Sequence, residues 1–68
     1  MIIVKEIKAN TFTKTAECTV YADTKAEVIP GATISNLPDG YTIAAGSQLY
    51  TAALDIAVMQ SDGTWKWS

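Results

Sequence analysis

With one cysteine and no histidine, this chain has no covalent or metal staple available to it. Cys18 lacks a partner for an internal disulfide, and a Cys/His zinc site cannot be assembled. A chain of 68 residues is a single small domain, 1–68. At that length folding buries only ~60% of the surface that the unfolded chain exposes. A core of this size rarely supplies more than ~3–5 kcal/mol without a staple. Two routes to stability remain: close packing, or burial of surface against another copy. Apolar residues make up 49% of the chain. That is a high share where so much area is surface, so it favours an oligomer or attachment to a larger assembly.

The same composition narrows the chemistry. Without histidine no Ser-His-Asp or Cys-His device can be built. Five lysines, no arginine and seven carboxylates leave a net charge of −2. Phosphate contacts need clustered positive charge, so no nucleic-acid partner is expected. The glycines form neither a dinucleotide fingerprint nor a P-loop, and Asp23, Asp39 and Asp62 are too far apart for a calcium loop. Asp55 and Asp62 fall in turn positions, where a short carboxylate bonds its own backbone. No enzyme activity, cofactor or metal site is expected. No stretch approaches the ~18 apolar residues of a membrane helix. The apolar start, Met1–Val4, is broken by Lys5, Glu6 and Lys8 without a cleavage-site pattern, so no membrane partner is expected either.

Local pattern points to strands. Nine threonines with many Val, Ile, Tyr and Trp residues suit a pleated, half-buried surface. Residues 2–8 read as a strand with Ile3 and Ile7 on one face and Ile2 and Val4 on the other. Residues 10–14 read as a turn. Residues 15–22 alternate, with Ala16, Cys18, Val20 and Ala22 on one face, which makes Cys18 a small core hydrophobe rather than a reactive thiol. Thr24-Lys25-Ala26-Glu27 fits a capping box for one short helical turn, stopped by Pro30 and Gly31, with a short strand as the alternative where sheet pairing overrides the cap. Leu37–Tyr41 is a turn with Pro38 expected at the second turn position, followed by Asp39 and Gly40, and Ala44–Ser47 is a second turn. The C-terminal third reads as an antiparallel meander over 48–53, 56–60 and 64–67. Its turns fall at 54–55 and 61–63, and Asp62-Gly63 suits a type I′ hairpin with Gly63 at positive φ. The fold class expected is therefore mostly β: a small antiparallel meander or sandwich-like domain with at most one short helical turn.

The aromatic side chains are the only features with functional promise. Trp65 and Trp67 share one side of the last strand and can either form a flat stacking platform for a sugar or cover the core and a neighbouring chain. Burial of Trp65 is the expectation, because a domain this small needs the area. Tyr41, Tyr50 and Met59 belong to the residue types enriched at interfaces. The candidate interface or binding set is thus Trp65, Trp67, Tyr50, Tyr41 and Met59.

The run Gly46-Ser47-Gln48-Leu49-Tyr50-Thr51, then Asp55-Ile56-Ala57-Val58-Met59, then Ser61-Asp62-Gly63-Thr64-Trp65 carries a resemblance. It resembles the C-terminal pattern of short proteins from tailed-phage and prophage structural gene clusters. The resemblance covers about the last third of the chain and brings no catalytic residues with it. It implies a virion component of the head-fibre or capsid-decoration kind, made in the host cytoplasm and located in the virion. Such a protein would self-associate as a homo-oligomer, a trimer for example, and dock on capsid or other virion proteins without a cofactor. The alternative reading is a small module that binds carbohydrate or a host surface through an aromatic platform.

Overall fold

The computed structural model describes residues 1–68. Strands account for 47% of the chain, and they form one mixed sheet of seven. The first two are a long antiparallel hairpin, β1 (Ile2–Asn10) and β2 (Thr15–Ala22). A single 3-10 turn, Lys25–Glu27, follows. Two short strands come next, β3 (Ile34–Ser35) and β4 (Thr42–Ile43). The C-terminal meander is β5 (Gln48–Thr51), β6 (Ile56–Met59) and β7 (Trp65–Trp67). It is antiparallel throughout, as its turn signals indicate. The sheet as a whole is not. β3 joins β1 in parallel, and β4 and β5 join β2 in parallel. Parallel pairing needs a long crossover, and no local sequence signal announces it.

That crossover builds the core. After β2 the chain passes over one sheet face to reach β3 beside β1, then crosses back to β4 on the far edge of β2. Residues 28–43 therefore form a lid. Val28, Ala32, Ile34, Leu37, Tyr41 and Ile43 pack from it onto the buried side chains of the sheet. Those are Ile2, Val4, Ala16, Cys18, Val20, Ala22, Leu49 and Ala57. Alternation in β2 places its four apolar residues inward as expected, Cys18 among them at 5% exposure. Burial pushes its thiol upward from the usual range, which lowers the reactive thiolate fraction.

Several local expectations are revised. Lys5 is an extra residue in β1, because Val4 faces Val20 while Glu6 faces Thr19. This bulge shifts the alternation by one, so Ile7 lies opposite Cys18 on the face of Val4, not with Ile3. The capping box is incomplete. Thr24 makes no side-chain bond to the backbone, and the Glu27 carboxylate accepts from the Asp23 N–H at 3.3 Å and the N-terminal ammonium. At 38–41 the Tyr41 N–H donates to the Pro38 carbonyl at 3.2 Å, so Pro38 occupies the first turn position, with Gly40 at φ 80°. The β5–β6 turn falls at Ala52–Ala53, and Ala53 is exposed rather than part of the strand. The β6–β7 turn is not type I′, which requires positive φ at both central residues. Only Gly63 (φ 87°) is left-handed, and the Gly63 N–H donates to the Gln60 carbonyl at 3.1 Å. This is the three-residue loop, a type I turn followed by a left-handed glycine.

One side chain holds the junction between β4 and β5. The two run consecutively along the same edge of β2 and are interrupted by the Ala44–Ser47 turn, leaving the Cys18 N–H without a strand partner. That N–H donates to the hydroxyl oxygen of Ser47, 3.0 Å away and buried. The Ser47 carbonyl accepts from the Met59 N–H at 2.8 Å, and the Gly46 N–H donates to the Met59 carbonyl at 2.9 Å. Ser47 thus ties β2 to β6 as well. Replacing it with alanine leaves the Cys18 N–H buried and unpaired. Ser47→Ala should cost about 1–3 kcal/mol in urea or thermal unfolding. A change inside ~0.5 kcal/mol, the scale of an ordinary surface substitution, would contradict this role.

Candidate functional site: an apolar hollow, an open face and a hairpin tip

The buried part of the sheet is made largely of small side chains, and the lid does not fill the space above β6 and β7. A hollow of about 470 Å³ remains between the lid and the last hairpin. Trp65 and Trp67 form one wall, Met59 the floor beside them, and Val28, Ile29, Leu37 and Tyr41 the lid side. Eleven of its sixteen lining residues are apolar. The pairing register explains why the tryptophans reach it. Trp65 lies opposite Met59 and Trp67 opposite Ala57, so both indoles share the buried side of the sheet. They are half-buried, not fully enclosed. Trp65 is therefore less covered than expected, because the hollow leaves one side of it open.

Cations stand over two of these rings. The Lys25 ammonium lies 4.9 Å from the Trp67 ring centre, and that of Lys14 lies 5.3 Å from the Tyr41 ring centre, both in the range of a cation–π contact. With Lys25 over one indole and the hollow in front of the other, the two tryptophans do not present a flat open platform. A sugar entering the hollow would meet apolar walls, with Thr42 and Thr64 as its few polar neighbours.

The other sheet face is different. A continuous row crosses four strands: Ile3 opposite Tyr21, Tyr21 opposite Tyr50, and Tyr50 opposite Ile56. Tyr21 and Tyr50 meet edge to face, with ring centres 5.3 Å apart and planes inclined at 63°. The Lys5 ammonium stands 5.9 Å from the Tyr21 ring centre. Ile56 is 40% exposed, and the other three are half-buried. Burial, then the nearby Asp23 carboxylate, pushes the Tyr21 hydroxyl upward. Val58, Thr19 and Gln48 border the row.

The third feature is the tip of the β1–β2 hairpin. Phe12 is 98% exposed there. Of the five residues expected to form a surface, Trp65, Trp67, Tyr41 and Met59 come together around the hollow, while Tyr50 belongs to the opposite face. Sequence reasoning missed Phe12, the lid residues Val28, Ile29 and Leu37, and the Ile3–Tyr21–Tyr50–Ile56 row. A phenylalanine in the otherwise polar turn 10–14 was a usable signal. The row was not visible, because it depends on the parallel pairing of β2 with β5.

No three carboxylate, histidine or cysteine side chains gather in one place. Comparison with protein families, with curated proteins and with solved structures returns no match for the chain.

Beside the hollow, the loop of the last hairpin, 61–63, carries one carboxylate. The Asp62 carboxylate accepts from the Thr64 hydroxyl at 2.6 Å and from the Thr64 N–H at 3.0 Å. These bonds hold its pKa below the usual 3.8. A carboxyl lowered on folding stabilises the fold above its unfolded value, and the contribution is lost as pH falls through the folded value. The melting temperature should therefore drop below about pH 3.8. Asp62→Asn keeps an acceptor but cannot titrate, so its acid-side drop should be shallower. Identical acid-side slopes would contradict the assignment.

Proposed function

We propose that this chain is a non-catalytic structural protein of a tailed-phage or prophage virion, one that self-associates and docks on a head or fibre assembly. The observation that carries the reading is the Ile3–Tyr21–Tyr50–Ile56 row on a face that nothing in the chain covers. Aromatic and aliphatic side chains aligned across four strands form a flat contact surface, and Lys5, Glu6, Lys66 and Gln48 supply the exposed polar rim. The β-rich fold and the C-terminal pattern Gly46–Trp65 accord with the resemblance to virion proteins. The occupant of this face in the proposal is another virion protein. The carbohydrate reading has less support, because the two tryptophans look into an apolar hollow with few hydrogen-bonding groups for sugar hydroxyls.

The test uses particles from the strain that carries the gene, purified on a density gradient after induction. The chain should band with the particles by mass spectrometry. Ile56 is exposed enough to replace without emptying the core. Ile56→Lys puts an unpaired charge into the contact and should lower incorporation by about tenfold or more. A chain that never bands with the particles would contradict the proposal.

A further inference from the structure

We infer that two copies of this chain join along the free edge of β1, antiparallel about Ile7, so that one sheet runs through both. The inference rests on the self-association in the proposed function and names the edge that carries it.

That edge is open for most of its length. β3 covers only Ile2 and Ile3, and after Ser35 the chain turns away at Asn36, which sits in the left-handed region at φ 66°. From there β1 and β2 continue as an arm, paired up to Asn10–Thr15. The bonds of β2 show which groups of β1 point outward. The Lys14 and Ala16 carbonyls accept from the Thr42 and Ala44 N–H groups, and the Cys18 N–H donates to Ser47. These residues bond away from β1. The residues between them, Thr15 and Glu17, and then Thr19, bond toward β1, where they face Asn10, Lys8 and Glu6. Ile7 and Ala9 therefore direct their N–H and C=O groups off the outer edge of the arm. Such a row is a template for another strand.

The charges on this edge select a second copy. Glu6 and Lys8 stand one residue to either side of Ile7, on the open face, across from Thr19 and Glu17. Two-fold pairing about Ile7 sets Ile7 against its counterpart, with two N–H···O bonds exchanged, and sets Glu6 against Lys8 twice. The two flanking pairs are of the non-hydrogen-bonded kind, in which side chains approach more closely. Lys8 then lies between Glu17 of its own chain and Glu6 of the second copy. Lys5 falls against Ala9, so no like charges stand opposite each other. A two-fold centred on Glu6 or on Lys8 would set that charge against itself, which disfavours the slipped registers. Ile7 also gains cover. It faces inward opposite Cys18, yet it is 43% exposed and lies outside the core cluster. The two-fold axis stands perpendicular to the sheet, so both Ile3–Tyr21–Tyr50–Ile56 rows face the same side and the proposed docking surface is doubled.

Sedimentation velocity of the full chain from low to high micromolar, at low salt, tests this. The parent should dimerise. Glu6→Lys and Lys8→Glu each put like charges into both flanking pairs and should weaken dimerisation by about tenfold. An equimolar mixture of the two variants restores opposite charges at both pairs and should dimerise like the parent. Both positions are exposed, so both variants should fold. Lys8→Glu also faces Glu17 in its own chain; if it melts lower at dilute concentration, Glu6→Lys, with Thr19 opposite, still reads the contact. Amide exchange locates the contact: the Ile7 amide should gain protection as the parent concentration rises, and gain less in Glu6→Lys. A parent that dimerises while the Ile7 amide stays unprotected overturns the edge contact and leaves self-association standing. So does Glu6→Lys that dimerises as tightly as the parent, or a mixture no tighter than either variant alone. A parent that is monomeric at high micromolar removes both.

Discussion

Everything in this fold is hung on β2, the one strand that pairs with three others. β1 takes one edge along its full length, and β4 and β5 share the other. Sharing an edge leaves a gap, and the gap falls at a buried N–H. An unpaired buried donor costs about 1–3 kcal/mol, a large part of what a core this small can supply. The Ser47 hydroxyl closes that gap, and its backbone carries the bond onward to β6. The serine of the Gly46-Ser47 pair is therefore a pairing element inside the sheet rather than a loop residue.

Parallel pairing on β2 has a second consequence. The chain must cross the sheet face to β3 and return to β4, and that detour is the lid. All the covering material goes to one face. The beginnings of a second core are present on the other, in the Tyr21–Tyr50 contact, but no layer closes over it. Only eleven of 68 residues are buried, and Phe12, Ile29 and Ile56 are left outside. Single exposed apolar residues need no explanation. These three matter because each belongs to a feature: the arm tip, the rim of the hollow, and the end of the aromatic row. The edge of β1 beyond Ile3 is protected differently. Its bulge at Lys5 and the charges of Lys5, Glu6 and Lys8 discourage the addition of strands that do not match them.

What could be read from the sequence was what is local. The alternation of residues 15–22, the 3-10 turn after Asp23, the turns at 38–41 and 44–47, and the three C-terminal strands all follow from period and turn chemistry. Gly63 sits at positive φ as Asp62-Gly63 implies, although the Asp62–Thr64 bonds select the longer loop. Long-range pairing was not legible. Nothing in residues 15–22 or 48–51 says that they run parallel, so neither the lid nor the open aromatic row could be drawn. The bulge at Lys5 was hidden for a related reason. A single extra residue is visible only once the opposing strand is known. For the candidate surface, Trp65, Trp67, Tyr41 and Met59 were recognisable as residue types, but their grouping apart from Tyr50 depended on which face each strand turns inward.

The pairing of β4 and β5 along the second edge of β2 is the claim from which the lid, the hollow and the open face all follow, and native-state amide hydrogen exchange tests it most directly. The slowest amides should lie in the inner halves of β2 and β5, Val20 and Leu49 among them, with the Cys18 amide nearly as slow because Ser47 holds it. The tip amides of Thr11–Lys14 should exchange fastest. Exchange of the Cys18 amide as fast as the hairpin tip, with β2 protected only by β1, would contradict the account.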